Sequence, residues 1–252
     1  MSVPEPAVDA LAGRVVLVTG ATGGLGRAVA KAAAAAGASV VLTGRKVRAL
    51  EKLYDELEAA GAPQPAIVPM DLERATPADY EQVADTIRAE LGRLDGLVHA
   101  AAHFICLTPI AHHKPDDWLR ALQVNLSAPF ALTQACLPLL TEAADSAVVF
   151  ITDDPANLDG SHWGAYGVAK AGLERLASTL HDEHDTDSMR VHLLLPGPMR
   201  TFLRRKAWIA EDPRLIPEPD TTARAVVHLL SAAGADWRGR TLDLRPEHSA
   251  SA

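Results

Sequence analysis

Short apolar runs with no polar face recur along the chain, each followed by a longer segment mixing Ala and Leu with Arg, Lys and Glu. The runs are RVVLVT (14–19), SVVLT (39–43), PAIVPM (65–70), DGLVHA (95–100), AVVFIT (147–152), RVHLLL (190–195) and RTLDL (240–244). Continuous apolar runs of this length fit strands covered on both faces. The segments between them, near 24–36, 46–60, 77–91, 116–140, 163–183 and 221–232, read as helices. Their alternation predicts right-handed βαβ crossovers and an α/β fold, a doubly wound parallel sheet of about seven strands with helices on both faces. No composition break, linker or repeat divides the chain, so residues 1–252 are expected to form a single domain. The stretch 202–219, FLRRKAWIAEDPRLIPEP, breaks the pattern with prolines and with apolar residues set among charges. A long connection of this kind reads as a lid-like insertion over a binding site, with an irregular surface loop as the plainer alternative.

Composition narrows the partners. Hydrophobic residues make up 48% of the chain but aromatic ones only 4%, so the core must be aliphatic. A net charge of −8 argues against nucleic acid or an anionic membrane surface as partner. Any anion must then be held locally, by backbone N–H groups or a few placed arginines. The two cysteines, Cys106 and Cys136, form no CxxC pair, which suits a reducing compartment. The first thirteen residues lack the basic start and apolar run of a signal peptide, and no apolar segment approaches the length of a membrane span. A cytoplasmic protein acting on a small molecule is the expectation.

The first apolar run leads directly into TGATGGLG, where Gly20, Gly24 and Gly26 punctuate a turn that opens a helix. Glycine gives the turn its φ freedom and lets backbone approach a pyrophosphate, while the helix N-terminus offers free N–H groups. Strand before and helix after make this a Rossmann-like dinucleotide site rather than only a tight turn. The second run ends in Gly44-Arg45-Lys46, where an NAD site wants a carboxylate for the ribose 2′-hydroxyl. Arg45 would instead clasp a 2′-phosphate, so NADP(H) is the preferred cofactor and NAD(H) the lesser option. The alternative is that Arg45 simply opens a solvated helix. Asp71, after the third run, is placed either to accept from an adenine amino group or to cap a short turn.

Tyr166 and Lys170 are four residues apart on a predicted helix, so both can point into one pocket. A tyrosine with an unperturbed pKa of about 10 is a poor acid/base at neutral pH, and a nearby ammonium favours its phenolate. Together with the glycine turn, Asp71, Asn125 in VNLSAPF and PGPMRT (196–201), this pair makes the chain resemble the short-chain dehydrogenase/reductase family over about residues 12 to 245. It looks closest to bacterial members of unassigned substrate. The resemblance implies that Tyr166 is the general acid toward a carbonyl oxygen while NADPH delivers hydride to the carbon. It implies that Lys170 lowers the tyrosine pKa and bonds the nicotinamide ribose, and that Asn125 holds a water linking the lysine to solvent. It places Pro196, Met199 and Thr201 at the nicotinamide end, and Thr22, Leu25, Leu72 and Ala100 along the rest of the cofactor. It also implies a homodimer or homotetramer. No ligand set for a metal emerges from His99, His103, His112 and His113.

Two departures stand out against the family pattern. His99-Ala100-Ala101-Ala102 replaces the usual Asn-Asn-Ala-Gly, and Asp153 stands thirteen residues before Tyr166, where a serine usually holds the substrate oxygen. An ionised carboxylate has no proton to donate and disfavours the phenolate. Asp153 could be protonated and donate. It could accept from a substrate hydroxyl or amino group. It could also point elsewhere, leaving Thr152, Ser161 or His162 to assist or leaving the site slow. The favoured reading is an NADP(H)-dependent oxidoreductase interconverting a carbonyl and an alcohol, with Tyr166, Lys170, Asn125 and Asp153 at the reacting end. A nucleotide-binding protein with weak or no catalysis is the alternative, and an isomerase or dehydratase a third option.

Overall fold

The computed structural model describes residues 5–245. The first residues of the N-terminal segment and the last of the expected 1–252 domain lie outside the described residues. Strands β1 (Val15–Val18), β2 (Ser39–Leu42), β3 (Ala66–Ile67), β4 (Gly96–His99), β5 (Ser146–Ile151), β6 (Met189–Leu195) and β7 (Thr241–Asp243) form one sheet. Their order is β3-β2-β1-β4-β5-β6-β7, and every pairing is parallel. Parallel neighbours need crossovers. These are supplied by α1 (Gly24–Ala35), α2 (Val47–Ala59), α3 (Pro77–Leu91), α4 (Pro115–Leu122), α5 (Ala128–Glu142), α7 (Gly164–Glu183) and α9 (Asp220–Leu230). Two shorter helices, α6 (Pro155–Leu158) and α8 (Phe202–Ala207), decorate the loops that follow β5 and β6. The expected doubly wound fold is the observed one.

The two sides of the sheet hold separate cores. Val16 and Val18 of β1 point to the face covered by α1 and α9, and Val15 and Leu17 to the face covered by α3, α5 and α7. That period-2 alternation within an unbroken apolar run is what burial on both faces requires. The strand order reverses between β1 and β4, which opens a crevice beyond their C-terminal ends.

Two elements differ from expectation. The third strand is two residues long rather than six, and Pro69 follows it on the sheet edge, where its missing N–H removes no ladder bond. Pairing continues around it, with Val68 N donating to Leu42 O at 3.0 Å and Met70 N to Gly44 O at 3.1 Å. The helix expected over 116–140 is broken by a π-helical turn, Gln123–Ser127, between α4 and α5. Pro129 has no N–H to give the carbonyl of Asn125 four residues back, so the regular ladder cannot run through this point. The 202–219 stretch carries α8 and a 3₁₀ turn at Pro213–Leu215.

Candidate active site

The crevice is a cleft of about 760 Å³ running from the β1–α1 turn to α8. That volume is in the range of a pocket for a large organic ligand. Gly20 takes a φ of 62°, and a Cβ there would come within 2.8 Å of Ala101 Cα. The turn thus packs on the residues that replace Asn-Asn-Ala-Gly, and Ala101 N donates to Thr19 Oγ1 at 3.1 Å. A Cβ on Gly26 would collide with the carbonyl oxygen of Gly20. The glycine at 26 therefore lets α1 start tight against the turn, with its N-terminal N–H groups facing the cleft. Thr22, Gly24 and the nearly buried Leu25 line the same end.

At the tip of β2, Arg45 lines the cleft with its side chain 58% exposed. Its Nη1 lies 3.4 Å from Glu73 Oε2 and its Nε 4.0 Å from Asp71 Oδ1. Asp71 Oδ1 also accepts from Glu73 N at 3.2 Å, so its side chain caps a turn while facing the cleft beside Leu72. Both sequence readings of Asp71 fit this geometry. A Gly cradle, an open helix N-terminus and an exposed arginine with space beside it suit a phosphorylated dinucleotide.

The reacting end lies at the tips of β4, β5 and β6. Tyr166 and Lys170 share one face of α7, and both are buried against the cleft. Tyr166 Oη donates to Asp153 Oδ2 at 2.9 Å. Burial, and then the Asp153 carboxylate, push the phenol well above its usual range. Lys170 Nζ donates to Ile151 O at 2.7 Å and lies 5.6 Å from the Tyr166 ring centroid. Burial lowers its pKa to about 8, against the pull of Asp153 and Glu174. Thr152 follows Val148 and Phe150 onto the face covered by α7, but its hydroxyl is committed to Glu174 rather than to Tyr166. Asn125 is buried beside the cleft with its amide fully used: Nδ2 donates to His103 O at 2.8 Å and Ala121 O at 2.9 Å, and Oδ1 accepts from His103 N at 2.9 Å. Its side chain braces the β4–α4 loop and has no donor left for the water the resemblance implies.

The sequence profile of the short chain dehydrogenase family matches residues 14–212. The chain belongs to this family. It is 33% identical over 242 residues to the uncharacterized oxidoreductase YciK of Escherichia coli K12, with 96% of each chain covered. Among solved structures it is similar to a short chain dehydrogenase from Pseudomonas syringae, at 37% identity and a TM-score of 0.90, covering 96% of this chain and 99% of that one. It is similar also to a short chain dehydrogenase from Escherichia coli CFT073 complexed with NADPH, at 33% identity and a TM-score of 0.91, covering 96% and 100%.

As a short chain dehydrogenase, the chain keeps its tyrosine and lysine but surrounds them unusually. His99, in the first position of the replaced motif, is 3% exposed, stacks on Phe150 at 4.9 Å and shares a hydrogen bond with Thr133 Oγ1 at 2.8 Å. It is a packing residue with a neutral ring, since burial and then Lys170 hold its pKa down at about 3. Ala100, Pro196, Met199 and Thr201 line the cleft as expected, and Thr201 Oγ1 also caps α8 by accepting from Arg204 N at 3.2 Å. Ser161 and His162 lie outside the cleft lining.

The sequence reading missed the wall around Tyr166. Phe104 meets Tyr166 edge-on at 5.4 Å, Trp163 lies 5.8 Å from it, and Trp208 packs on Trp163 at 5.3 Å. Lys206 of α8 spans the cleft mouth and donates to Phe104 O at 3.1 Å. Phe104 sits in a loop without periodicity, so only the tertiary fold brings it to Tyr166. Among the described residues no cluster of three His, Cys, Asp or Glu could hold a metal ion, and no helix is long and apolar enough to cross a membrane.

Proposed function

We propose that this short chain dehydrogenase is an NADP(H)-dependent oxidoreductase that interconverts a carbonyl and an alcohol on a small molecule. The observation that carries the proposal is that Tyr166 and Lys170 face one end of a cleft whose other end is the glycine turn. Gly20, Gly24, Gly26 and the α1 N-terminus would receive the pyrophosphate, with Thr22 and Leu25 beside it. Arg45 would receive the 2′-phosphate, with Asp71 and Leu72 near the adenine. Ala100, Pro196, Met199 and Thr201 would flank the nicotinamide, which supplies or accepts the hydride. The NADPH bound to the relative from E. coli CFT073 supports that choice of cofactor. Tyr166 moves the proton at the substrate oxygen. Lys170 holds positive charge beside it, and Asn125 braces the loop that closes the site. Phe130 on α5 and Val168 on α7 are half exposed, which is compatible with a homodimer or homotetramer.

One observation favours a second reading, a nucleotide-binding protein with weak catalysis: the Tyr166 proton is already engaged by Asp153. Turnover separates the two. NADPH oxidation over a panel of ketones and aldehydes should fall roughly 10²–10⁴-fold in Tyr166→Phe. NADPH affinity, read by its fluorescence, should stay within about threefold, because the cofactor's phosphate contacts are untouched. Tight NADPH binding without turnover on any substrate by the wild type would establish the second reading instead.

A further inference from the structure

Three features at the reacting end point one way. The Tyr166 O–H is committed to Asp153 Oδ2, so the phenol oxygen can offer the cleft only lone pairs. An alcohol O–H can donate to those lone pairs, whereas a ketone oxygen needs a donor and finds none there. The side-chain donors of Asn125 are spent on backbone and one Lys170 N–H bonds Ile151 O, so Asp153 is the group that holds the Tyr166 hydroxyl directly. Asp153, finally, is held in place. Its Oδ1 accepts from Asp154 N at 2.8 Å, which leaves Oδ2 for the tyrosine. Asp154 is fixed in turn by Ala156 N at 3.0 Å and by Arg245 Nη1 at 2.8 Å.

We propose that Asp153 is the proton terminus of this site, so that the substrate it serves best is an alcohol undergoing oxidation. The proposal rests on Tyr166 as the acid/base and goes further by saying where the proton ends. In the step, the carbinol C–H bond breaks and its electron pair leaves as hydride to an oxidised nicotinamide, which is reduced. The C–O bond becomes C=O. The hydroxyl proton moves to the Tyr166 oxygen as the tyrosine's own proton moves to Asp153 Oδ2. Tyr166 ends neutral and Asp153 ends as a carboxylic acid. Reduction of a ketone runs the same path backwards and must begin from that acid.

The charged and titratable groups around the relay are few. Tyr166, Lys170 and Glu174 face it from α7, with Glu174 bonded to Thr152. Asp154 heads α6, Arg245 and Asp243 come from the end of β7, and His99 lies across β4 beside Lys170.

The test is NADP⁺ reduction with 1-phenylethanol, D-threitol and xylitol, set against NADPH oxidation with acetophenone. Asp153→Asn keeps the shape and can still accept from Tyr166, but it cannot take its proton. The expected result is at least a hundredfold loss of kcat for oxidation with little change in KM. Asp153→Ser should shift the balance of rates toward acetophenone reduction, and NADPH affinity within threefold of wild type in both variants shows the fold is kept. An Asp153→Asn enzyme whose kcat for oxidation stays within threefold of wild type would overturn the relay. So would a wild type that reduces acetophenone at neutral pH but oxidises none of the alcohols. Tyr166→Phe tells the two levels apart: activity kept in that variant removes the acid/base reading itself. Activity lost there but kept in Asp153→Asn removes the relay alone. A wild type active on none of these compounds overturns both.

Discussion

Burial and the Asp153 carboxylate both oppose the Tyr166 phenolate, and the neighbouring Lys170 is itself lowered to about 8. The protein has therefore placed a carboxylate where it costs phenolate character and gains a hydrogen-bond acceptor. At the other end of the cleft a single cation decides cofactor choice. Arg45 faces Glu73 and Asp71, which soften its field but leave its guanidinium more than half exposed. Arg45→Asp is expected to weaken NADPH binding by at least about tenfold more than NADH binding, since it replaces an attraction to the 2′-phosphate by a repulsion. Titration of both cofactors by fluorescence checks this, and equal losses would remove Arg45 from cofactor choice. The spacing of Tyr166 and Lys170 was legible because helical periodicity turns sequence distance into a shared face. The Asp153–Tyr166 bond was not, because counting thirteen residues back finds the residue but not which way its carboxylate turns. The same holds for Asn125, whose amide could serve a water or a backbone and serves the backbone.

The element that shapes the cofactor end is the β1–α1 turn, and its glycines were readable because strand, turn and helix are contiguous in the chain. Gly26→Ala puts a methyl against the carbonyl oxygen of Gly20, which has no room to yield without moving the turn. A loss of about 2–3 kcal/mol in unfolding free energy is expected, as for other overpacking substitutions. Chemical denaturation should show it, together with weakened NADPH binding. A variant as stable as wild type would mean that α1 can back away from the turn. Helix boundaries were harder to read where two physical rules compete. The apolar pattern over 116–140 continues through residues 123–127, but Pro129 withholds the N–H that the pattern assumes, and the chain answers with a π turn. Along β3 the apolar run is real, but regular pairing with β2 covers only Ala66–Ile67. Strand and helix existence followed from the pattern, and the interruption of the long helix followed from proline.

At the scale of the whole molecule, the alternation of apolar runs and amphipathic segments specifies a parallel sheet covered on both faces, whereas its strand order is a feature of the tertiary structure. Buried histidines give this fold a pH limit. Burial, and then Lys170, hold His99 at about 3, and burial, and then Arg190, hold His192 at about 3, both below the ordinary 6.5. The unfolded chain therefore binds more protons than the folded one between those values. Stability is retained above about pH 6.5 and is lost as pH falls toward 3. At pH 5 each histidine should cost about 2 kcal/mol. Urea unfolding at pH 7 and pH 5 is expected to show that loss, and His99→Gln to shrink it; a pH-independent midpoint would mean that neither ring is neutral in the folded state. The cleft assembled by this sheet is the central claim, and a crystal structure of the NADP⁺ complex tests it most directly. The account predicts the pyrophosphate at the Gly20–Gly26 turn, the 2′-phosphate against Arg45 and the nicotinamide within reach of the Tyr166 hydroxyl. A cofactor bound with its nicotinamide away from Tyr166, or no cofactor in the cleft at saturating concentration, would contradict it.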